Sequence, residues 1–140
     1  MTFFPPAWSR RRRLAVLSAA VLSLAAAFWL VVLAASLPVT TTADNTISDG
    51  LCSLREAITN ANADAATFAD CPAGTGNDTI TFTAGGLGTI SLLSALPNIT
   101  DADGLTIDGA GGVTLDGALL FRVFNVSAAA ANLTLNNLTI

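Results

Sequence analysis

At 140 residues, with 52% hydrophobic and 11% charged residues, the chain has room for one domain and a leader, and too few charges for a disordered acidic tail. It has no His, Lys or Tyr, which excludes His-based triads, His metal sites and Schiff-base lysines. The net charge of −4 is unevenly spread: four of the six basic residues are Arg10 to Arg13, and beyond residue 35 two arginines, Arg55 and Arg122, face all ten acids, a balance of −8 that excludes a nucleic-acid-binding face.

Residues 1–35 read as an export leader. The arginines precede Leu14 to Ala35, a run with no charge and only Ser18 and Ser23 as hydroxyl residues. The positive-inside rule holds the arginines in the cytoplasm and sends the remainder across. Two readings stand: a cleaved signal peptide, with Val32-Leu33-Ala34 or Ala34-Ala35-Ser36 as small-residue cleavage sites, or an uncleaved anchor helix through residues 14–35. Small residues after the run and the break at Pro38 favour cleavage. Ser9-Arg10-Arg11 is a weak twin-arginine pattern and reads better as an ordinary basic start. Both readings place the rest of the chain outside, secreted or at the cell surface.

Residues 36–51, rich in Pro, Thr, Asp, Asn and Gly, read as a linker or an extended lead-in. Residues 52–77 read as a capping helix and a disulfide loop. Cys52 and Cys71 are an even pair in an exported chain, where oxidation is permitted, and a bridge between them is expected. Ser53-Leu54-Arg55-Glu56 is a capping box, in which the Ser53 hydroxyl caps an amide three residues on and Glu56 reaches back to the Ser53 amide. Leu54, Ala57, Ile58 and Ala61 fall at i, i+3, i+4 and i+7 and form one apolar stripe on a helix over 53–62. Ten residues of helix are marginal alone, so the stripe must cover something apolar.

From residue 78 to 140 the texture is of short strands between Gly, Asn and Asp turns. The predicted strands are 79–82, 89–92, 105–107, 113–115, 123–126, 133–135 and 138–140, each alternating apolar with Thr, Ser or Asn. Leu105-Thr106-Ile107-Asp108-Gly109 and Val113-Thr114-Leu115-Asp116-Gly117 form an internal repeat. Strand starts at 79, 105 and 133 give steps of 26 and 28, and starts at 89 and 113 give 24. Short strands recurring near every 25 residues predict an all-β chain, a parallel β-helix of two to three rungs, with a β-sandwich as the runner-up. The helix stripe is then expected to cover the first rung near Ile80 and Phe82. The last strand stops at Ile140, so the chain is expected to be a fragment of a longer product.

Cys52-Ser53-Leu54-Arg55-Glu56-Ala57-Ile58, followed by Ala61-Asn62, resembles the CSLREA motif of secreted bacterial right-handed parallel β-helix proteins of the pectate-lyase-like kind. Asp78 to Phe82, Gly88-Thr89-Ile90 and Leu105 to Gly109 agree with it, and the resemblance spans residues 44–140. It implies a right-handed β-helix at the cell surface or outside the cell, and no single activity. A structural or adhesive role is expected, with a polysaccharide lyase or hydrolase as the alternative and an extracellular polysaccharide or surface ligand as partner.

The residues with chemical potential each have a bland role. Arg55 and Glu56 form a conceivable catalytic pair, but Glu56 is already used as a cap, and Arg55 suits a nearby carboxylate or the loop around Cys71. Asp101, Asp103, Asp108 and Asp116 are acids on loops, where calcium binds, and Arg122 is the single base in the rungs. An arginine is a poor proton acceptor and Asp-Gly pairs make turns, so no catalytic residue, metal or cofactor is assigned. Asn77, Asn98, Asn125, Asn132 and Asn137 begin Asn-Xaa-Ser/Thr triplets and read as turn residues or stacked Asn ladders.

Overall fold

The computed structural model describes residues 33–83 and 88–140. The leader predicted over 1–35, as signal or anchor, lies almost wholly outside the described residues, and among these no helix is long and apolar enough to cross a membrane.

Alternation of apolar and small polar residues sets the strands. Among the described residues they are β1 (Ser36–Val39), β2 (Asp78–Phe82), β3 (Gly88–Ser91), β4 (Leu105–Asp116) and β5 (Leu133–Thr139), with one helix, α1 (Leu54–Ala63). The chain is therefore mostly sheet, and every named strand pair is parallel. Parallel neighbours need a crossover between them, usually a helix. Here the described residues of the connection from β2 to β4 contain β3 and no helix. β1 pairs with β2 across 43 residues that include α1, Ser36 beside Thr79; past it the pairings advance regularly: Thr79 sits beside Thr106, Leu105 beside Leu133, Thr89 beside Thr114, Val113 beside Leu138, and Ile99 beside Val126. Those later differences run from 25 to 28 residues.

The register stacks like on like. Leu37, Ile80 and Ile107 form one column, each 0% exposed, which ends at Leu135, 39% exposed. Ile90 and Leu115 form a second. Thr79, Thr106 and Thr134 stack on the other face of the same strands. Full burial of a Leu or Ile side chain stabilises by about 1.5–3 kcal/mol, so these columns supply the main cohesion.

Three expectations change. Residues 36–51, read as a linker, open with β1, whose Leu37 and Val39 are fully buried beside β2. Pro38 is compatible with this because β1 lies at the end of the strand order and its missing N–H breaks no central ladder. The predicted strand 123–126 is reduced to a single bridge at Val126. The four segments 105–107, 113–115, 133–135 and 138–140 fuse into two longer strands, β4 and β5, with a register shift between Asp108 and Val113. The Asp-Gly repeat therefore does not stack on itself. Its halves follow one another along β4, the first beside β2 and the second beside β3. At the corner, a Cβ on Gly109 would come within 2.6 Å of the Leu138 Cβ, so only glycine fits between the two strands there.

Candidate functional site

The most densely constructed part of the described chain is the cap around α1. Ser53 is the N-cap: its hydroxyl oxygen accepts from the Glu56 amide at 3.2 Å, and Glu56 Oε2 accepts from the Ser53 amide at 3.0 Å. The Ser53 hydroxyl also donates to the Asn45 carbonyl at 2.7 Å. Glu56 is fully buried and its Oε1 has no partner. Leu54, Ala57, Ile58 and Ala61 are buried in the core that holds Ile80 and Phe82. The helix packs on β1 as well as β2, so the strand it covers first is one the sequence reading did not include.

Cys52 and Cys71 are joined by a disulfide, with their Cα atoms 4.8 Å apart. The bridge fastens the start of α1 to the loop that follows it. Across that loop Asn60 acts as a second fastening. It is fully buried; its Nδ2 donates to the carbonyls of Phe68 (2.9 Å), Cys71 (3.3 Å) and Pro72 (2.9 Å), and its Oδ1 accepts from the Phe68 amide (2.8 Å). Gly74 then presses on the helix end, where a Cβ would collide with the Asn60 carbonyl oxygen. Replacing both cysteines by Ala is expected to lower stability by about 3 kcal/mol, the value for closing a loop of this order, read as a fall in the urea midpoint.

Arg55 projects the other way. Its Nε and NH2 groups make a bidentate pair with Asp44, both at 2.8 Å, while NH1 donates to the Ala95 carbonyl and NH2 to the Ser94 carbonyl. The partner is thus Asp44 and the turn after β3, not the loop around Cys71. Burial opposes ionisation of Asp44, but bonds from Arg55 and from the Leu93 and Ser94 amides outweigh it and hold the carboxyl below its ordinary value. Asn62 reaches a third segment, donating to the Asn98 carbonyl and accepting from the Thr100 and Asp101 amides. One ten-residue helix thereby ties down β1, the disulfide loop, the turn after β3 and the segment around Ile99.

The other candidate acids form turns. Asp108 Oδ1 accepts from the Ala110 amide at 3.0 Å and Asp116 Oδ1 from the Ala118 amide at 2.7 Å. These backbone and Asn137 bonds hold the Asp108 carboxyl below its ordinary value. Asp101 is buried and caps the Asp103 amide; burial, aided by the charges of Asp64 and Asp78, holds its carboxyl above the ordinary value. Among the described residues no three His, Cys, Asp or Glu side chains are grouped to hold a metal ion.

A small recess of about 240 Å³, lined by Ala95, Leu96, Asn98, Arg122 and Asn125, lies on the same side as the Asn62 contacts. In it Arg122 donates to Asn125 Oδ1 (2.6 Å) and Asn125 Nδ2 donates to Asn98 Oδ1 (2.9 Å), a polar row across two successive passes of the chain. Asn98 and Asn125 are the expected Asn ladder. Asn60, Asn62 and Asp44 carry the cap without having been singled out for it. Comparison with known proteins adds no relative: no family model, curated protein or solved structure matches the chain.

Proposed function

We propose that this is an exported protein of the cell surface or extracellular space, a right-handed parallel β-helix closed at one end by α1, with a structural or adhesive role. The observation that carries the reading is the register. Past the β1–β2 pair, which is 43 residues apart with α1 between, parallel pairs recur at steps of 25 to 28 residues in three separate stacks, with strands rather than helices between them. That is the periodicity of coils laid one on another. Crossovers between parallel strands are right-handed almost without exception. The likeness of residues 52–58 to the CSLREA motif supports the same fold, and the disulfide supports an oxidising compartment.

Scaffold is favoured over sugar-cleaving enzyme because Asp108 and Asp116 are engaged as turn formers. The row Asn98, Asn125 and Arg122 offers amides for sugar hydroxyls and a guanidinium for a carboxylate, so an acidic polysaccharide is the partner class it suits. Incubation with pectate and alginate in the presence of calcium tests this. The expected result is co-sedimentation that weakens in Arg122→Ala, with no unsaturated sugar released. Release of unsaturated sugars would replace this reading with a polysaccharide lyase, and absence of both binding and turnover would leave a structural role alone.

A further inference from the structure

The first described residues are held by a carboxylate that has only neutral donors. Asp78 opens β2 and is fully buried. Its Oδ1 accepts from the Ala35 amide at 3.0 Å and from the Thr75 amide at 2.9 Å, and its Oδ2 accepts from Thr75 again at 3.1 Å. Burial raises its carboxyl above the ordinary value despite those bonds, and Asp64 and Asp103 add like charge. Nearby Asp101 Oδ2, also buried, has no partner. The ion pair found among the described residues, Asp44 with Arg55, does not serve this group. The buried Asp78 carboxyl, with like charge near it, thus meets the backbone nitrogen of Ala35.

That nitrogen follows Val32-Leu33-Ala34, the small-residue pattern that leader-removing peptidases cut. Beyond it the chain is committed to the sheet: the Ala35 carbonyl accepts from the Thr79 amide at 2.8 Å, and β1 begins at Ser36. We propose that the Ala34–Ala35 peptide bond is the processing site of the exported chain, and that the α-ammonium released on Ala35 locks against Asp78 as a buried ion pair. The inference rests on the exported reading above. The step is a hydrolysis. Water breaks the C–N bond, its oxygen stays on Ala34 as a carboxylate that departs with the leader, and the proton balance leaves Ala35 as an ammonium.

Cutting precedes folding, while the segment is still extended. In the uncut chain Asp78 meets a neutral amide with one N–H; after the cut the same nitrogen carries a positive charge and three. Among the described residues the cut gives up one hydrogen bond, from the Thr75 hydroxyl to the Leu33 carbonyl. A cut after Ala34-Ala35-Ser36, the other candidate site, would remove the nitrogen that Asp78 holds, so the geometry selects Ala35 over Leu37 as the mature start.

The absence of Lys makes the lock measurable, because the processed protein has a single amine. The full chain is expressed in an exporting bacterial host, and the mature start is read by intact mass and N-terminal sequencing. The amine is then acetylated with an N-hydroxysuccinimide ester at mildly alkaline pH, in buffer and in concentrated urea. The expected start is Ala35. Labelling of the folded protein should be about 10- to 100-fold slower than in urea, because an opposite charge at hydrogen-bond distance makes proton loss that much less favourable. Asp78→Asn should restore fast labelling; if that variant does not fold, the native-to-urea ratio of the parent decides alone. A chain starting at Ala35 that labels equally fast in both conditions overturns the lock and leaves export intact. A start at Ser36 or later, or an exported chain that keeps its leader, overturns the cut site. A chain confined to the cytoplasm overturns the exported reading itself.

Discussion

Asn60→Asp is expected to be the most damaging single change in the cap, costing more than about 4 kcal/mol at neutral pH and exceeding the cost of Asn60→Ala. The side chains are almost the same size, so packing does not separate them. The difference is in the donors. Asn60 Nδ2 faces three carbonyl oxygens, those of Phe68, Cys71 and Pro72, within 3.3 Å. A carboxylate there has no donor and places a buried charge against three acceptors. Truncation to Ala removes the Asn60 partner of the Phe68 amide and of the Cys71 and Pro72 carbonyls, while the Phe68 carbonyl keeps the Cys71 amide; the cost is roughly 1–3 kcal/mol for each group left unpaired that water cannot reach. The introduced carboxyl has its folded-state pKa raised above the unfolded one by this surrounding. Its penalty is therefore absent below the unfolded value and develops as pH rises through the raised one. Urea midpoints at acidic and neutral pH check this: the Asp variant should recover toward the parent in acid, and the Ala variant should show no such recovery. Equal midpoints for the two variants at neutral pH would show that Asn60 does not hold the loop by donation.

The contrast between what was and was not legible follows from how local each signal is. Helix α1 was readable because its start is written in four consecutive residues, Ser53 to Glu56, and its buried face in one stripe. Strands β2 and β3 were readable because their alternation is unbroken. Strand β1 was missed because Ser36-Leu37-Pro38-Val39 follows an apolar run and contains a proline, and its partner is some forty residues away. The predicted strand at 123–126 shrank to a bridge because its neighbour, the segment around Ile99, offers a single pairing. Asn60 sits in the helix but is not part of its apolar stripe, Leu54, Ala57, Ile58 and Ala61. Its role exists only once the loop through Phe68 and Cys71 folds back over it. The Arg55 pairing with Asp44 and the turn at Ser94 was hidden for the same reason. Which carboxylate or carbonyl meets an arginine eleven or about forty residues distant is decided by how the chain folds back, not by local spacing.

Arg55→Met is expected to destabilise the protein by about 2–3 kcal/mol at neutral pH, below the roughly 3–5 kcal/mol for removing one partner of a fully buried pair. The discount reflects exposure: the Arg55 side chain is 15% exposed, whereas that of Asp44 is 1%. Met keeps the apolar stem, so what is lost is the guanidinium. With it go both bonds to Asp44 and the bonds to the Ser94 and Ala95 carbonyls that draw the turn after β3 onto the helix. The pH dependence identifies the cause. In the parent the Asp44 carboxyl lies below its ordinary value of 3.8, so its contribution is present above that value and is lost as pH falls through the lowered folded one. In the variant burial dominates and raises the same carboxyl, so its penalty is present at neutral pH and disappears as acid protonates it. The two curves should converge from both sides around and below 3.8. Asp44→Asn in the Arg55→Met background should regain part of the loss at neutral pH, because it removes the stranded charge. A difference between parent and Arg55→Met that stays constant from neutral to strongly acidic pH would mean that Arg55 acts through its contacts to Ser94 and Ala95 alone.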